Sequence, residues 1–144
     1  MKKILLSLMF IISLTGCSTN IDELIGNESS IIIETNEITL KVKEDTLTKD
    51  GATFVLENNR EEVITYNDAY TIEVKKDNKW YELNIIIEFV DASYELESKN
   101  TDEITIDWSE SYLTLPKGEY RLIKEVTIPE TLELFYVAST FTIK

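Results

Sequence analysis

Ten residues, Leu113-Thr-Leu-Pro-Lys-Gly-Glu-Tyr-Arg-Leu122, restrict this chain more than any others. Pro116 and Gly118 write a tight corner, because proline presets one turn dihedral and glycine accepts the unusual ones. Tyr120 then opens a strand whose apolar residues alternate through Leu122 toward Val126 and Ile128. Pro-x-Gly-x-Tyr ahead of such a strand is the pattern of a tyrosine corner in β-sandwiches, where the ring fills the core and the hydroxyl bonds back to the corner backbone. A plain turn followed by a strand with a buried tyrosine satisfies the same turn chemistry.

The chain before and after this corner reads as period-two strands separated by turn residues. Ile38, Leu40 and Val42 alternate with polar residues, and after Lys49-Asp50-Gly51 so do Ala52, Phe54 and Leu56. Val63 to Tyr66 forms a short strand, and Tyr70, Ile72 and Val74 share one face of the next. Asp77-Asn78 has the composition of a two-residue hairpin loop leading into Trp80-Tyr-Glu-Leu83. Ile85-Ile-Ile-Glu-Phe-Val90 does not choose a face. Tyr94 and Leu96 mark a short strand, Ile104, Ile106 and Trp108 another, and Phe135, Val137, Phe141 and Ile143 a last one. No segment carries a 3.6-residue apolar period over three turns. Seven or eight strands spaced about ten residues apart describe an antiparallel β-sandwich. The single cysteine permits no disulfide within the chain, so packing alone must hold that core.

The first thirty residues differ. Lys2 and Lys3 precede an apolar run, Ile4 to Leu14, broken only by Ser7 and Ser13. The run is too short for a permanent membrane span and has the shape of an export signal. It ends in Leu14-Thr15-Gly16-Cys17, which resembles the bacterial lipobox. The resemblance implies a leader of residues 1–16, cleaved before Cys17. It also implies fatty acyl chains such as palmitate on the Cys17 thiol, and a protein lipid-anchored on the extracytoplasmic side of the cell membrane. The competing reading is an ordinary secreted protein with a free N-terminal cysteine. Residues 17–30 are then expected as lipidated cysteine plus flexible tether, roughly 20 Å long on average, with the domain proper in 31–144. A single amphipathic turn at Ile21–Ile25, lying on the domain, is the alternative.

The absence of histidine excludes imidazole metal sites and histidine-based triads. All acidic residues follow Cys17, so the mature chain sets 27 carboxylates against 12 basic groups, a net −15. That charge repels nucleic acid and suits a cationic partner or divalent ions, although an acidic, well-solvated surface needs neither. Glu57, Glu73, Glu82 and Asp107 fall at outward strand positions or near turns, where no acid pair is marked for hydrolysis. Asp45, Asp50, Asp68 and Asp77 sit near strand ends, as loop carboxylates that bind calcium do, yet no DxDxDG loop exists. The expectation is therefore no enzyme, no cofactor and no resident metal.

Several runs now fall in a recognisable order: Leu56-Glu57-Asn58-Asn59, Tyr70-Thr-Ile-Glu-Val74, Lys79-Trp80-Tyr81, Ile104-Thr-Ile-Asp-Trp108, Pro116-Lys-Gly-Glu-Tyr-Arg121 and Phe141-Thr-Ile143. This order, over about residues 36 to 144, resembles the bacterial immunoglobulin-like domain of exported and lipid-anchored proteins, chiefly Gram-positive. The resemblance implies an immunoglobulin-like sandwich at the cell surface and no catalytic residue; the region from Ile85 to Tyr94 departs from it in being more apolar. Trp80 and Trp108 are read as core or half-core rather than as sugar platforms. Tyr66, Tyr81, Ile85 and Phe89 are the candidate contacts for an extracellular protein partner. Two functions follow: a binding or structural module at the cell surface, or an acidic inhibitor or protective lipoprotein that blocks a basic protein near the membrane.

Overall fold

In the computed structural model, which describes residues 20–34, 37–111 and 114–144, the corner has the expected chemistry. Tyr120 is fully buried and its hydroxyl donates to the Pro116 carbonyl at 2.8 Å. Gly118 suits the corner because a Cβ there would lie 3.1–3.3 Å from the Tyr120 ring and hydroxyl, tighter than ordinary contact. Leu113, at the head of the corner run, lies outside the described residues, as do the leader, the lipobox and Cys17.

The described residues form a four-residue helix, α1 (Ile21–Leu24), and ten strands: β1 (Ile25–Glu28), β2 (Ile38–Val42), β3 (Gly51–Asn58), β4 (Ile64–Asn67), β5 (Thr71–Lys76), β6 (Lys79–Leu83), β7 (Ser93–Leu96), β8 (Thr101–Asp107), β9 (Gly118–Ile128) and β10 (Glu133–Ile143). They make two antiparallel sheets, an immunoglobulin-like sandwich without a disulfide. The smaller runs β2-β3-β8, and the larger β1-β6-β5-β9-β4-β7, with β10 on the other edge of β9. The count exceeds the seven or eight expected because the short strands β4 and β7, read from the sequence at Val63 to Tyr66 and Tyr94 to Leu96, each stand as separate strands and β1 adds another.

The β5–β6 hairpin shows how local sequence sets register. Lys76 pairs with Lys79, and the loop residues Asp77 and Asn78 have φ of 50° and 62°, the left-handed values such a loop requires. In β3 alternation is strict, with Ala52, Phe54, Leu56 and Asn58 buried. Asn58 explains the Leu-Glu-Asn run: its amide donates to the carbonyls of Glu62 and Leu96 at 2.9 and 3.2 Å, and its oxygen accepts the Arg60 N–H at 3.1 Å. At the start of β3, a Cβ on Gly51 would lie 2.5 Å from the Ile106 carbonyl oxygen, so only glycine allows that approach to β8.

Three aromatic rings stack through the core centre. Phe141 lies against Trp108 at 5.7 Å and 16°, and against Tyr120 at 5.9 Å and 21°, with Phe54 edge-on at 6.0 Å. Trp108 is thus core, as expected.

The tether expected at 17–30 is corrected from Asn20 onward. Asn20 caps α1, and β1 pairs with β6 through Ile25↔Leu83 and Glu28↔Tyr81. The edge of β6 supplies the backbone partners that a polar sequence does not advertise: Asn84 N–H donates to Leu24 and Ser29 N–H to Trp80, at 2.7 and 2.8 Å. Ile21, Leu24 and Ile25 pack against the core, which extends the amphipathic-turn alternative into a short strand. The chain then passes Ser29 and reaches β10, where Glu34 N–H donates to the Tyr136 carbonyl at 3.4 Å.

Candidate functional site

Residues 84–92 join β6 to β7 without belonging to a strand. The isoleucine run that shows no preferred face in sequence does alternate: Ile85 and Ile87 are half-buried, while Ile86 and Val90 are 89% and 76% exposed. The segment stays off the sheets yet is anchored, since Phe89 meets the Tyr70 ring edge-on at 5.1 Å and Ile85 packs on the core. Between this segment and the outer strand of the smaller sheet runs an open groove of about 570 Å³. Tyr70, Ile104, Ile106 and Phe89 give it apolar walls, and Asp68, Glu88, Asp107 and Glu110 give it carboxylates. No lysine or arginine lines it. Burial first, then the nearby Asp107 and Glu110 carboxylates, push the Tyr70 phenol up to about 12, so it stays a neutral donor at physiological pH.

The four candidate contact residues do not form one patch. Tyr66 is corrected: it is 7% exposed, because β4 lies between β9 and β7, and its hydroxyl donates to Asp102. Tyr81 is half-buried in β6 and packs on the core. Only Ile85 and Phe89 belong to the groove segment, and Phe89 is the one with a substantially open face. Ile86 and Val90, which sequence reasoning did not separate from their neighbours, are the more exposed.

On the outer face of the larger sheet lies a cluster that alternation alone misplaces. Glu73, expected as a solvated outward carboxylate, is fully buried. Its cross-strand partner Arg121 donates from Nε at 2.6 Å, and the Ser29 hydroxyl donates to the same carboxylate. Arg121 Nη2 reaches Ser29 Oγ at 3.3 Å, and its guanidinium sits 4.7 Å from the centre of the Trp80 ring. Trp80 is therefore half-core, a half-buried cover on this ion pair. The serine hydroxyl already serves a carboxylate that is itself held by arginine, so the cluster ties β1, β5 and β9 together and leaves no activated nucleophile.

Lys124 is a second buried charge, 1% exposed, and this one was readable. It occupies the inward row of Tyr120, Leu122 and Val126, opposite the break between β4 and β5. Its ammonium donates to the freed carbonyls of Asn67 and Ala69 at 2.7 and 3.1 Å and lies over the Tyr66 ring. Burial lowers its pKa to about 8, against a smaller opposing effect of Asp68. A lysine whose folded value lies below its unfolded value, about 10.4, destabilises the fold while charged. That cost is fully present below pH 8 and is relieved as pH rises through the folded value. Stability is expected to increase by about 1 kcal/mol between pH 8 and 9, read from urea midpoints, below the pH of about 10 at which the tyrosines of the unfolded chain ionise and offset the gain. Lys124→Met should abolish the increase; an unchanged rise in that variant would assign it elsewhere.

The candidate calcium carboxylates do not converge. Asp50 accepts from Thr114 at 2.8 Å, Asp68 from Tyr94 at 3.2 Å, and Asp77 sits in the hairpin loop. Among the described residues no group of three or more such side chains is placed to hold a metal ion.

A sandwich of these two antiparallel sheets, locked by a tyrosine corner, defines an immunoglobulin-like module. The bacterial Ig-like domain profile matches residues 28–142. The chain belongs to that family, whose members are generally non-catalytic and typically occur in extracellular or surface proteins. No curated protein and no solved structure matches the chain.

Proposed function

We propose that this protein is a lipid-anchored surface module that works by binding a partner outside the cell membrane, through the 85–90 segment and the groove beside it. The observation that carries the reading is the exposure of Ile86 and Val90 on an anchored segment at the mouth of an apolar groove. Exposed aliphatic residues beside a preformed concavity are where association removes the most apolar surface from water. The Cys17 lipid supplies the address, and it holds the domain close to the membrane because α1 begins at Ile21, only a few residues after Cys17 in sequence. The family supports the surface setting; the lipobox at Leu14 to Cys17 supports the anchor.

Two expected results test this. The wild-type chain should incorporate a labelled fatty acid and partition with the membrane, whereas Cys17→Ala should be released or remain uncleaved; absence of lipid on wild type would remove the anchor. From cross-linked cell envelopes, the wild type should recover a protein that Ile86→Ser/Val90→Ser does not. Equal recovery by both would move the binding surface elsewhere.

The second reading, an acidic shield against a basic protein, is favoured by the mature chain's net −15. It differs in placing the affinity in charge rather than in apolar contact.

A further inference from the structure

Resting on the reading of the 85–90 face as the binding surface, we infer that the groove takes an extended, basic polypeptide segment, which pairs as an added strand with the free edge of β8. β8 is the outer strand of the smaller sheet: it pairs with β3 from Gly51↔Asp107 to Glu57↔Thr101, and among the described residues no strand pairs with its other side. Such an edge carries unpaired backbone donors and acceptors that an extended peptide satisfies, with pockets for alternate side chains setting specificity. The groove opens along Ile104 to Asp107 of this edge, and Ile86 to Val90 form its opposite wall.

The side chains define the occupant. An added strand places every second side chain toward the interior, where Tyr70, Ile104 and Ile106 offer apolar contact. Its other side chains meet the rim, where Glu88, Asp107 and Glu110 make no ion pair within the described residues. With acids on the rim and no base along the groove, the complementary strand alternates aliphatic and basic residues. A second copy of this chain is the wrong occupant. Antiparallel pairing of two β8 edges can set Glu103 of each against Asp107 of the other, which share the outer row, on two mature chains of net −15. The unpaired 85–90 segment is itself apolar and strand-forming, and it stands off β8 across the open groove.

The test uses the full lipidated chain in a neutral detergent and three labelled heptapeptides. One alternates lysine and valine, the second is the same sequence N-methylated at alternate residues, and the third alternates lysine and glycine. Fluorescence anisotropy should show the lysine–valine peptide binding, with the N-methylated and lysine–glycine peptides each weaker by about tenfold or more. Glu88→Gln/Glu110→Gln should weaken the first peptide about threefold to tenfold and reduce its salt dependence. Amide exchange should slow in Thr101–Asp107 when it binds. Equal affinity for the N-methylated peptide, or protection at β7 or β1 in place of β8, would overturn strand addition. If no peptide binds while Ile86→Ser/Val90→Ser still loses the envelope partner, this inference fails and the surface reading stands; if that variant also retains the partner, both fail.

Discussion

Truncating Trp108 to alanine is expected to destabilise the domain by about 3–5 kcal/mol. The indole is fully buried and stacked on Phe141, the ring that also covers Tyr120. Its removal therefore opens a cavity at one end of the stack, against Phe141, in addition to losing the transfer free energy of the ring. The indole N–H also donates at 2.7 Å to the Lys49 carbonyl, which accepts Leu115 N–H at 2.9 Å as well. Through that oxygen the ring joins the turn before β3 to the approach to the tyrosine corner. Natural domains hold only about 5–15 kcal/mol in total, so the variant should unfold at much lower urea, followed by circular dichroism. Trp108→Phe should recover part of the loss, since it keeps the stacking and gives up the hydrogen bond. A cost below about 1 kcal/mol would contradict the placement of this ring at the core.

The second large effect belongs to Glu73. Removing one member of a buried ion pair strands the other, and Glu73→Ala is expected to cost about 3–5 kcal/mol. Arg121 would keep its position over Trp80 but lose its carboxylate, and Ser29 would lose the acceptor of its hydroxyl proton. The discriminating comparison is the double replacement Glu73→Leu/Arg121→Met. A buried pair exchanged for apolar residues of similar size is often neutral in stability, so the double variant should be far more stable than Glu73→Ala. Additive losses would mean that the two residues act independently of each other, against their 2.6 Å contact.

These two residues mark where the sequence was and was not legible. Trp108 could be placed because it continues the alternation of Ile104 and Ile106, and the corner and the Asp77-Asn78 hairpin could be placed because turn chemistry is local. Glu73 obeys the same alternation and points away from the core, yet it is buried, because Ser29 and Trp80 close over it from the N-terminal segment and β6. Periodicity reports which face a side chain takes; it does not report what later covers that face. The polar run at residues 20–30 hid its role for the same reason: β1 is held by backbone bonds to β6, which leave little trace in side-chain pattern. Tyr66 was misplaced because β4 is hydrogen-bonded on both edges, a property of strand order. Lys124 carried a signal, a lysine in an inward row, that pointed to the broken β4–β5 edge. At the groove, Phe89 and Ile85 were legible as apolar outliers, whereas the alternate exposure of Ile86 and Val90 required the path of the chain.

The most direct measurement of the proposed binding is surface plasmon resonance between the purified chain and any protein recovered from cross-linked envelopes, at two ionic strengths. Charge acts over a Debye length of about 8 Å at physiological salt, so under the proposed function it steers encounter, while the groove and the 85–90 segment would hold the complex. Added salt should slow association and leave dissociation nearly unchanged, and Ile86→Ser/Val90→Ser should speed dissociation by about tenfold or more. A dissociation rate that climbs steeply with salt and ignores those two substitutions would contradict the account and favour the acidic shield.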